Sequence, residues 1–319
     1  MSTVVASAPG KAVLCGEYAV LDGAPAVCMA LNRRARVTVS PCAGDWMRVS
    51  APGYTAVEGL LRVTGGDIEW TQGASEFTLV DAALRTPGAL PERVVSIELD
   101  SDAFRDRASN EKIGIGSSAA LTVALLAALR GTEDVFVDAR DAHRQLQQGA
   151  GSGVDIATSV HGGLLEYRMA AAEVTALQWP AGLKYRLVWS GIAANTRTKL
   201  AQLDSTAESG ARTDLRQAAI AMAKAWSSAT RVLSEYPAYI ESLRRFSVDH
   251  GLGIFDAGHD ELCREAAAAD LVYKPCGAGG GDVGILLGRS DEQLDDFMVG
   301  RQQTLRCELD PVGVKLEQR

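Results

Sequence analysis

Apolar and polar residues alternate over short stretches in the first half of the chain. Residues 34–40 read RARVTVS and residues 93–99 read RVVSIEL, so every second side chain is apolar. This period predicts β-strands with one buried face. Further short strands are predicted at residues 3–8, 46–51 and 67–70, with a turn at residues 9–11. The opening of the chain is therefore expected to be a β-rich meander.

Helical spacing of apolar residues dominates the rest of the chain. Residues 112–129 read KIGIGSSAALTVALLAAL, in which a glycine loop leads directly into a run of alanine, leucine and valine. That run predicts a buried helix. Further helices are predicted at residues 76–85, 134–148, 154–161, 195–208, 213–235, 238–248, 255–269 and 291–304. Further strands are predicted at residues 164–168, 174–179, 185–190, 283–287 and 312–316.

The balance of elements changes near residues 181–182, where a β-rich first half gives way to a helix-rich second half. A chain of 319 residues, 47% of them hydrophobic, is long enough to bury two cores. We therefore expect an α+β protein with two domains, residues 1–181 and residues 182–319.

Charge and cysteine usage exclude several classes of protein. The net charge of −8 comes without any basic stretch, which argues against a nucleic-acid partner. None of the six cysteines forms a C-x-x-C pair, so neither a zinc site nor a disulfide framework is predicted. A reducing, cytoplasmic setting is therefore expected. The sequence has no apolar stretch of about 18 residues and no signal-peptide pattern, so we expect no membrane span.

The glycine loop before the long apolar run is a candidate anion site. Gly114 and Gly116 permit a tight turn and a close approach of the backbone to a ligand. Ser117 or Ser118 is predicted to cap the helix that follows. The N–H groups and the dipole at a helix start favour phosphate.

Two other interpretations of this loop remain open at this point. One is an ordinary helix start, in which the glycines serve only the turn. The other is the dinucleotide fingerprint G-x-G-x-x-[GA], which Gly114, Gly116 and Ala119 match. That fingerprint closely follows a hydrophobic strand, whereas residues 105–111 are polar, which argues against it.

Two more glycine-rich turns occur, at residues 149–153 (GAGSG) and at residues 277–281 (GAGGG). Each of the three turns borders a predicted helix or strand, and together they favour a polyphosphate cradle. The P-loop pattern G-x-x-x-x-G-K-[ST] and the protein-kinase motifs H-R-D and D-F-G are absent from the sequence, which excludes those two folds.

Four stretches now form an ordered set. They are APGKAVLCGEYAVLDGAPA at residues 8–26, KIGIGSSAAL at residues 112–121, GSGVDIATSVHGG at residues 151–163 and KPCGAGGGDVGILL at residues 274–287. In order and spacing they resemble the motifs of the GHMP small-molecule kinases, and the resemblance covers essentially the whole chain. It implies an N-terminal domain like domain 2 of ribosomal protein S5 and a ferredoxin-like C-terminal domain, with the active site in the cleft between them.

Within that family, the GEYAVL segment and residues 189–200 (WSGIAANTRTKL) are similar to the branch that acts on phosphomevalonate. Mevalonate kinases are the nearest alternative, but they carry a Mg²⁺-binding glutamate where this chain has Arg144. His161 stands where many members of the first branch carry tyrosine. A non-catalytic regulator would tend to lose the motif lysine or aspartate, which are both present, and a related decarboxylase would lack G-S-G-x-D.

The resemblance also implies ligands and site residues. ATP and Mg²⁺ would bind together with a phosphorylated small molecule, in a protein that is a monomer or a homodimer. Lys11 and Asp155 would be catalytic. The ATP-binding residues would be Lys112, Gly114, Ile115, Gly116, Ser117, Ser118, Ala119, Gly279 and Gly280, with Ser118 as the metal ligand. The substrate-binding residues would be Lys11, Tyr18, Ser152, Gly153, Asp155, Ala194, Asn195, Thr196 and Arg197.

The roles of Lys11 and Asp155 depend on the acceptor. For an alcohol, the aspartate of the family is the base and the lysine lowers the pKa of the alcohol. A phosphate monoester has a second pKa of about 6 and needs no base. Lys11 would then bridge the acceptor and the γ-phosphate, and Asp155 would orient one of them. Asp155 is also interpretable as a favourable charge at a helix start alone.

Two phosphorylated ligands in one cleft require nearby cations. The candidates are Lys112, Arg197, Lys199 and Lys274. Asp282 is expected to fix the third glycine loop, and Glu17 to anchor the loop of Lys11. His143 and His161 lie on predicted helices and are expected to be structural.

Overall fold

Two β-sheets and their covering helices form the computed structural model, which describes residues 2–149, 151–194, 199, 202–203, 209–301 and 304–317. The strands are β1 (Val4–Cys15), β2 (Ala26–Pro41), β3 (Met47–Ser50), β4 (Gly59–Thr64), β5 (Asp67–Gln72), β6 (Val95–Asp100), β7 (Leu164–Arg168), β8 (Glu173–Leu177), β9 (Lys184–Trp189), β10 (Val272–Pro275), β11 (Val283–Gly288), β12 (Thr304–Leu305) and β13 (Lys315–Glu317). The helices are α1 (Thr78–Leu84), α2 (Ser117–Arg130), α3 (Phe136–Leu146), α4 (Val154–His161), α5 (Gly210–Ala225), α6 (Ala229–Asp249), α7 (His259–Ala268) and α8 (Asp291–Met298).

Within the described residues, the first sheet has nine strands. Seven of them follow the order β13-β1-β2-β6-β3-β4-β5, and β7 lies between β2 and β8. Its centre is the long antiparallel pair β1 and β2, on which α2 and α4 pack. The returning strand β13 pairs with β1, with Lys315 opposite Ser7. The division into two domains at residues 181–182 therefore stays a proposal. In that division, β13 belongs to the second domain by sequence but pairs with the first sheet.

The second sheet is antiparallel, in the order β10-β11-β9-β12. Helix α7 packs on β10, and α8 packs on β9 and β11. One buried apolar cluster includes side chains from both sheets, such as Leu14 of β1 and Leu187 of β9. The predicted α+β class is confirmed. Among the described residues, no helix combines the length and the apolar character that a membrane span requires.

The predicted turn at residues 9–11 is wrong, because β1 continues through it as one strand. The register with β2 shifts between Pro9 and Gly10, since Pro9 lies opposite Arg34 and Gly10 opposite Leu31. Proline has no N–H for the ladder, and strands accommodate it at bulges or edges. This irregularity in the pairing lies immediately before Lys11.

The helix boundary predicted near Pro237 is also wrong. Helix α6 continues through Pro237, and the break between α5 and α6 lies at residues 226–228. An internal proline costs a helix about 3 kcal/mol relative to alanine. Tyr236 and Tyr239 beside it are almost completely buried, so packing of their rings outweighs that penalty.

Other predicted elements are confirmed with shifted ends. The helices predicted at residues 255–269 and residues 291–304 are shorter, as α7 and α8, and Gly300 with φ of 71° follows α8. The hydrophobic pattern did not predict β4. The helix predicted at residues 195–208 lies almost entirely outside the described residues.

Candidate active site

The first glycine loop leaves the N-terminus of α2 without a side-chain cap. Gly114 and Gly116 have φ of 85° and 86°, in the left-handed region. Gly116 is the N-cap residue, and no side chain bonds to the first N–H groups of α2. The predicted capping by Ser117 or Ser118 is therefore wrong, because both serines already belong to the first turn. The N–H groups from Ser117 to Ala119 have no partner within the helix and are available to a ligand.

A cavity of about 550 Å³ opens at this helix terminus. Its polar lining includes Lys112, Ser117, Ser118 and His143. Its apolar lining includes Tyr54, Phe77, Leu79, Leu99 and Leu121. Lys112 Nζ lies 5.3 Å from the centre of the Tyr54 ring. This larger cavity suits a ligand that has both an anionic and an apolar part.

A smaller cavity, of about 120 Å³, brings together residues from distant stretches of the chain. Four of the residues predicted to bind the substrate border it, namely Lys11, Tyr18, Ser152 and Asp155. The rest of its lining includes Val13, Val20, Leu21, Ala26, Gly277 and Ala278. Gln147 borders both cavities. The two cavities are therefore neighbours that share part of one wall.

Lys11 lies between the first and third glycine loops. Its N–H donates to the carbonyl of Ile115 at 2.8 Å. A Cβ at Gly10 would lie 2.8 Å from the same carbonyl oxygen, so glycine is needed for this close approach. A Cβ at Gly116 would lie 2.9 Å from Lys11 Cγ, and one at Gly277 would lie 3.5 Å from Lys11 Nζ. The ammonium group consequently lies where the two loops and the smaller cavity meet.

Asp155 occupies the first turn of α4, after the N-cap Gly153 with φ of 83°. The hydroxyl of Tyr167 donates to the carbonyl of Ser152 at 3.1 Å and supports the loop before this helix. The Asp155 side chain is 19% exposed and borders the smaller cavity. Its Oδ2 lies 3.7 Å from Nδ1 of His143. The carboxylate is thus held on a rigid helix start and remains accessible to a small ligand.

Asp282 joins the third glycine loop to its neighbours. Its N–H donates to the carbonyl of Ile192 at 2.7 Å, and its Oδ1 accepts from the N–H of Ala194 at 2.8 Å. A Cβ at Gly114 would lie 1.9 Å from Asp282 Cγ, so this side chain packs directly on the first loop. Burial raises the pKa of Asp282, although the Ala194 bond and two nearby lysines oppose the shift. The prediction that Asp282 fixes the loop is confirmed.

Several other predicted ligand residues lie away from the cavities. Gly280 donates its N–H to the carbonyl of Ile254 at 2.7 Å, and a Cβ at Gly279 would lie 2.5 Å from the same oxygen. These glycines pack within the loop, and neither borders the two cavities described above. Lys199 Nζ donates to the carbonyls of residues 252–253 at 2.6 and 3.1 Å. The predicted residues Asn195, Thr196 and Arg197 lie outside the described residues.

The chain is similar in sequence to a known protein family and to known enzymes. The family model described as the GHMP kinases N terminal domain matches residues 79–163. The phosphomevalonate kinase of Streptomyces sp. (strain CL190) is 30% identical, and the match covers 89% of this chain and 90% of that protein. The chain belongs to the GHMP kinase family. It is accordingly a small-molecule kinase by family.

Further relatives of this GHMP kinase agree with that assignment. The mevalonate kinase of Bos taurus is 28% identical, with 96% of this chain and 91% of that protein covered. The solved structure of Streptococcus pneumoniae phosphomevalonate kinase in complex with phosphomevalonate and AMPPNP superposes with a TM-score of 0.75, at 17% identity, over 99% of this chain and 100% of that chain. The structural likeness confirms the predicted two-domain GHMP fold.

A buried ion pair lies behind the smaller cavity of this GHMP kinase. Lys274 Nζ donates to Glu17 Oε1, and the two side chains are 0% and 1% exposed. The hydroxyl of Tyr239 donates to Glu17 Oε2 at 2.6 Å. Burial is the largest single influence and would lower the pKa of Lys274, but the charge and hydrogen bond of Glu17, together with two nearby cysteines, outweigh it and the pKa is raised. The expectation that Lys274 contacts a ligand is wrong, because its ammonium is buried against Glu17. Lys274 Nζ also lies 3.4 Å from the carbonyl of Val13 on β1, the strand that carries Lys11. The expectation that Glu17 anchors the loop of Lys11 stays a prediction.

His143 is closer to the site than the sequence pattern indicated. Its Nε2 lies 3.2 Å from Ser118 Oγ, and its ring is buried at the larger cavity. The sequence does carry a signal for this position, because His143 and Gln147 are four residues apart and share the helix face that borders the cavities. His161, by contrast, packs edge-on against Phe136 and borders neither cavity.

His259 supports the third glycine loop from below. A carbonyl oxygen can only accept, so Nε2–H donates to the carbonyl of Gly281 at 2.9 Å, and Nδ1 accepts from the hydroxyl of Tyr273 at 2.8 Å. Burial lowers the pKa of His259, and the charges of Lys274 and Lys199 act in the same direction. The bond to Gly281 opposes the shift without reversing it.

Acidification is therefore expected to destabilise this kinase through His259. An unfolded histidine binds a proton below about pH 6.5, whereas the buried imidazole resists it, so stability present above that pH is lost as the pH falls. His259→Gln keeps a donor for Gly281 and removes the titration. The loss of melting temperature between about pH 7 and about pH 5.5 should be smaller in this variant. An equal loss in both proteins, measured by thermal unfolding, would contradict the assignment.

Proposed function

We propose that this GHMP kinase transfers the γ-phosphoryl group of ATP to phosphomevalonate, giving diphosphomevalonate and ADP. The observation that carries the proposal is the position of Lys11, between the uncapped start of α2 and the smaller cavity. The similarity to phosphomevalonate kinases supports this acceptor. We also propose a cytoplasmic enzyme that acts as a monomer or a homodimer.

The larger cavity fits the nucleotide. The N–H groups at the start of α2 and the ammonium of Lys112 suit its phosphates, and the apolar lining suits its base. We assign the β- and γ-phosphates to residues 114–119. In this arrangement, Ile115 contributes through its backbone, because its side chain is buried.

The oxygen donors between the two cavities fit Mg²⁺. Magnesium keeps several waters and substrate phosphates as ligands, so one or two protein oxygens suffice. Ser118 Oγ would hold the metal on the side of the larger cavity, and Asp155 offers a carboxylate on the other side. The part of the chain that the structure describes holds no group of three or more histidine, cysteine or acidic side chains that could bind a metal. Bound Mg²⁺ would neutralise charge on the donor phosphates.

Transfer to a phosphate acceptor requires charge neutralisation more than a base. The acceptor monoester, with a second pKa of about 6, is largely a dianion at neutral pH and already nucleophilic. Lys11 would contact both the acceptor phosphate and the γ-phosphate and offset their repulsion. Asp155 would orient Lys11 or the acceptor, while Tyr18 and Ser152 border the rest of the acceptor. Asn195, Thr196 and Arg197 stay predicted contacts of the acceptor phosphate.

One observation favours a second candidate, a mevalonate kinase. The Asp155 carboxylate borders the smaller cavity, where it could accept the proton of an alcohol. The similarity to mevalonate kinases is consistent with this role. Against it, the helix position of their metal-binding glutamate is occupied by Arg144, which is exposed on α3 and donates to the carbonyl of Gly149.

A coupled assay of ADP release, with phosphomevalonate and mevalonate at equal concentrations, distinguishes the candidates. We expect kcat/KM to be at least about tenfold higher with phosphomevalonate, since a site built for a phosphate leaves a charge unpaired with the alcohol. Turnover of mevalonate alone would overturn the proposed acceptor. Binding of AMPPNP without turnover of either compound would indicate a nucleotide-binding regulator.

A further inference from the structure

His143 occupies the space between the donor side and the acceptor side of the site. Its side chain is only 3% exposed. On one side, its Nε2 lies 3.2 Å from the hydroxyl oxygen of Ser118, at the larger cavity. On the other side, its Nδ1 lies 3.7 Å from Oδ2 of Asp155, at the smaller cavity. A buried ring with each nitrogen facing one predicted ligand-binding side chain connects the two cavities.

The orientation of α3 explains why this residue and not its neighbour faces the site. His143 and Gln147 are separated by one helical turn and lie on the same face, and Gln147 borders both cavities. Arg144 is rotated by about 100° around the helix. It is exposed, and its Nε donates to the carbonyl of Gly149 at 3.3 Å. Helix α3 therefore presents an imidazole and an amide to the site.

We propose that His143 is a positioning residue for phosphoryl transfer, which fixes the orientation of the Ser118 hydroxyl through Nε2 and of the Asp155 carboxylate through Nδ1. This inference rests on the proposed function. In the tautomer that this role requires, Nδ1 carries the proton that faces Asp155, and Nε2 accepts from the Ser118 hydroxyl. The lone pairs of Ser118 Oγ then face the larger cavity. The contact of 3.7 Å is longer than a hydrogen bond, and such contacts commonly tighten when ligands bind.

The arrangement makes the placement of Ser118 and of Asp155 interdependent. A serine hydroxyl rotates freely unless a neighbour fixes its hydrogen, and a free hydroxyl presents its lone pairs poorly to a cation. Partners that orient metal ligands typically contribute 10- to 100-fold to affinity or rate. Loss of His143 should therefore reduce kcat by about that factor. Nucleotide binding without Mg²⁺ should change little, because the α2 N–H groups and Lys112 are untouched.

Three variants separate the two contacts of His143. His143→Leu removes both. His143→Gln retains a polar atom near the Nε2 position and therefore the contact with Ser118. His143→Asn retains one near the Nδ1 position and therefore the contact with Asp155. Arg144→Gln is the matched control on the same helix, because Arg144 borders neither cavity.

The experiment measures kcat and KM for each variant, together with calorimetric binding of AMPPNP with and without Mg²⁺ and the melting temperature. We expect a loss of kcat of about 30-fold or more in His143→Leu, with the affinity for AMPPNP in the absence of Mg²⁺ within about threefold. His143→Gln should restore the enhancement of AMPPNP binding by Mg²⁺, and His143→Asn should not. Arg144→Gln should match the parent protein in every measurement.

Two results would overturn the inference. One is a folded His143→Leu protein with at least half of the parent kcat. The other is an equal Mg²⁺ enhancement of AMPPNP binding in the leucine and glutamine variants. Both comparisons are made against the parent protein with whichever acceptor it turns over. If the acceptor assignment is wrong, the parent protein itself will not turn over phosphomevalonate. If the role of His143 is wrong, only the comparison of the variants with the parent protein will show it.

Discussion

Replacing Lys11 with methionine is expected to lower kcat by about 10²- to 10³-fold and to change the KM for ATP by less than about threefold. The ammonium group lies beside the first and third glycine loops and borders the smaller cavity. In the proposed reaction, the donor and acceptor phosphates meet there. The charge opposes a repulsion that grows as the new bond forms, so its loss acts mainly on the transition state. Methionine keeps an unbranched side chain of nearly the same length without the charge.

Steady-state ADP release at saturating acceptor measures this effect, and the melting temperature establishes that the variant is folded. Lys184→Met is the control, because Lys184 is partly exposed on β9, pairs with Asp291 at 2.9 Å and borders neither cavity. The control should stay within about twofold of the parent kcat, as surface ion pairs contribute little. A folded Lys11→Met protein that retains half of the parent kcat would place the transfer elsewhere.

Replacing Lys274 with methionine is expected to reduce the free energy of unfolding by about 3–5 kcal/mol. The substitution leaves the carboxylate of Glu17 buried, with the hydroxyl of Tyr239 as its remaining strong partner. An uncompensated buried charge is costly because the interior solvates it poorly. The pair also connects the end of β1 to β10, so its loss weakens the contact between the two sheets.

A double variant tests that reason. Glu17→Gln/Lys274→Met removes both charges and should recover more than half of the loss caused by Lys274→Met alone. Urea unfolding followed by tryptophan fluorescence measures each free energy. Lys315→Met is the control, since Lys315 is 46% exposed and 3.9 Å from Glu317. It should change the stability by less than about 1 kcal/mol. Additive losses in the double variant would contradict the charge argument.

Much of the candidate site could be predicted from the sequence because it is built from local backbone features. Gly114 and Gly116 adopt left-handed φ values, and a helix starts directly after them, as expected from a glycine loop before an apolar run. Lys11 and Asp155 were predicted from motifs that lie far apart in the chain, and they border one cavity. Their chemical roles stay predictions until the variants are measured.

Each wrong prediction has its own physical cause. Ser117 does not cap α2, because the helix starts one residue earlier than a serine cap requires. Pro237 does not end α6, because buried rings on both sides hold the helix. Glu17 and Lys274 form an ion pair although they are 257 positions apart in the sequence. No local pattern encodes such a partner.

The sequence by itself determined the α+β class, the three glycine loops, the family motifs and the residues expected to meet phosphate. These follow from periodicity and from the backbone freedom of glycine, which are properties of neighbouring residues. Only the tertiary structure decided that Lys274 is buried with Glu17, and that the ring of His143 lies between Ser118 and Asp155. Burial and charge pairing depend on which elements pack together, so they arise only when both sheets and helices α2, α3 and α4 are assembled.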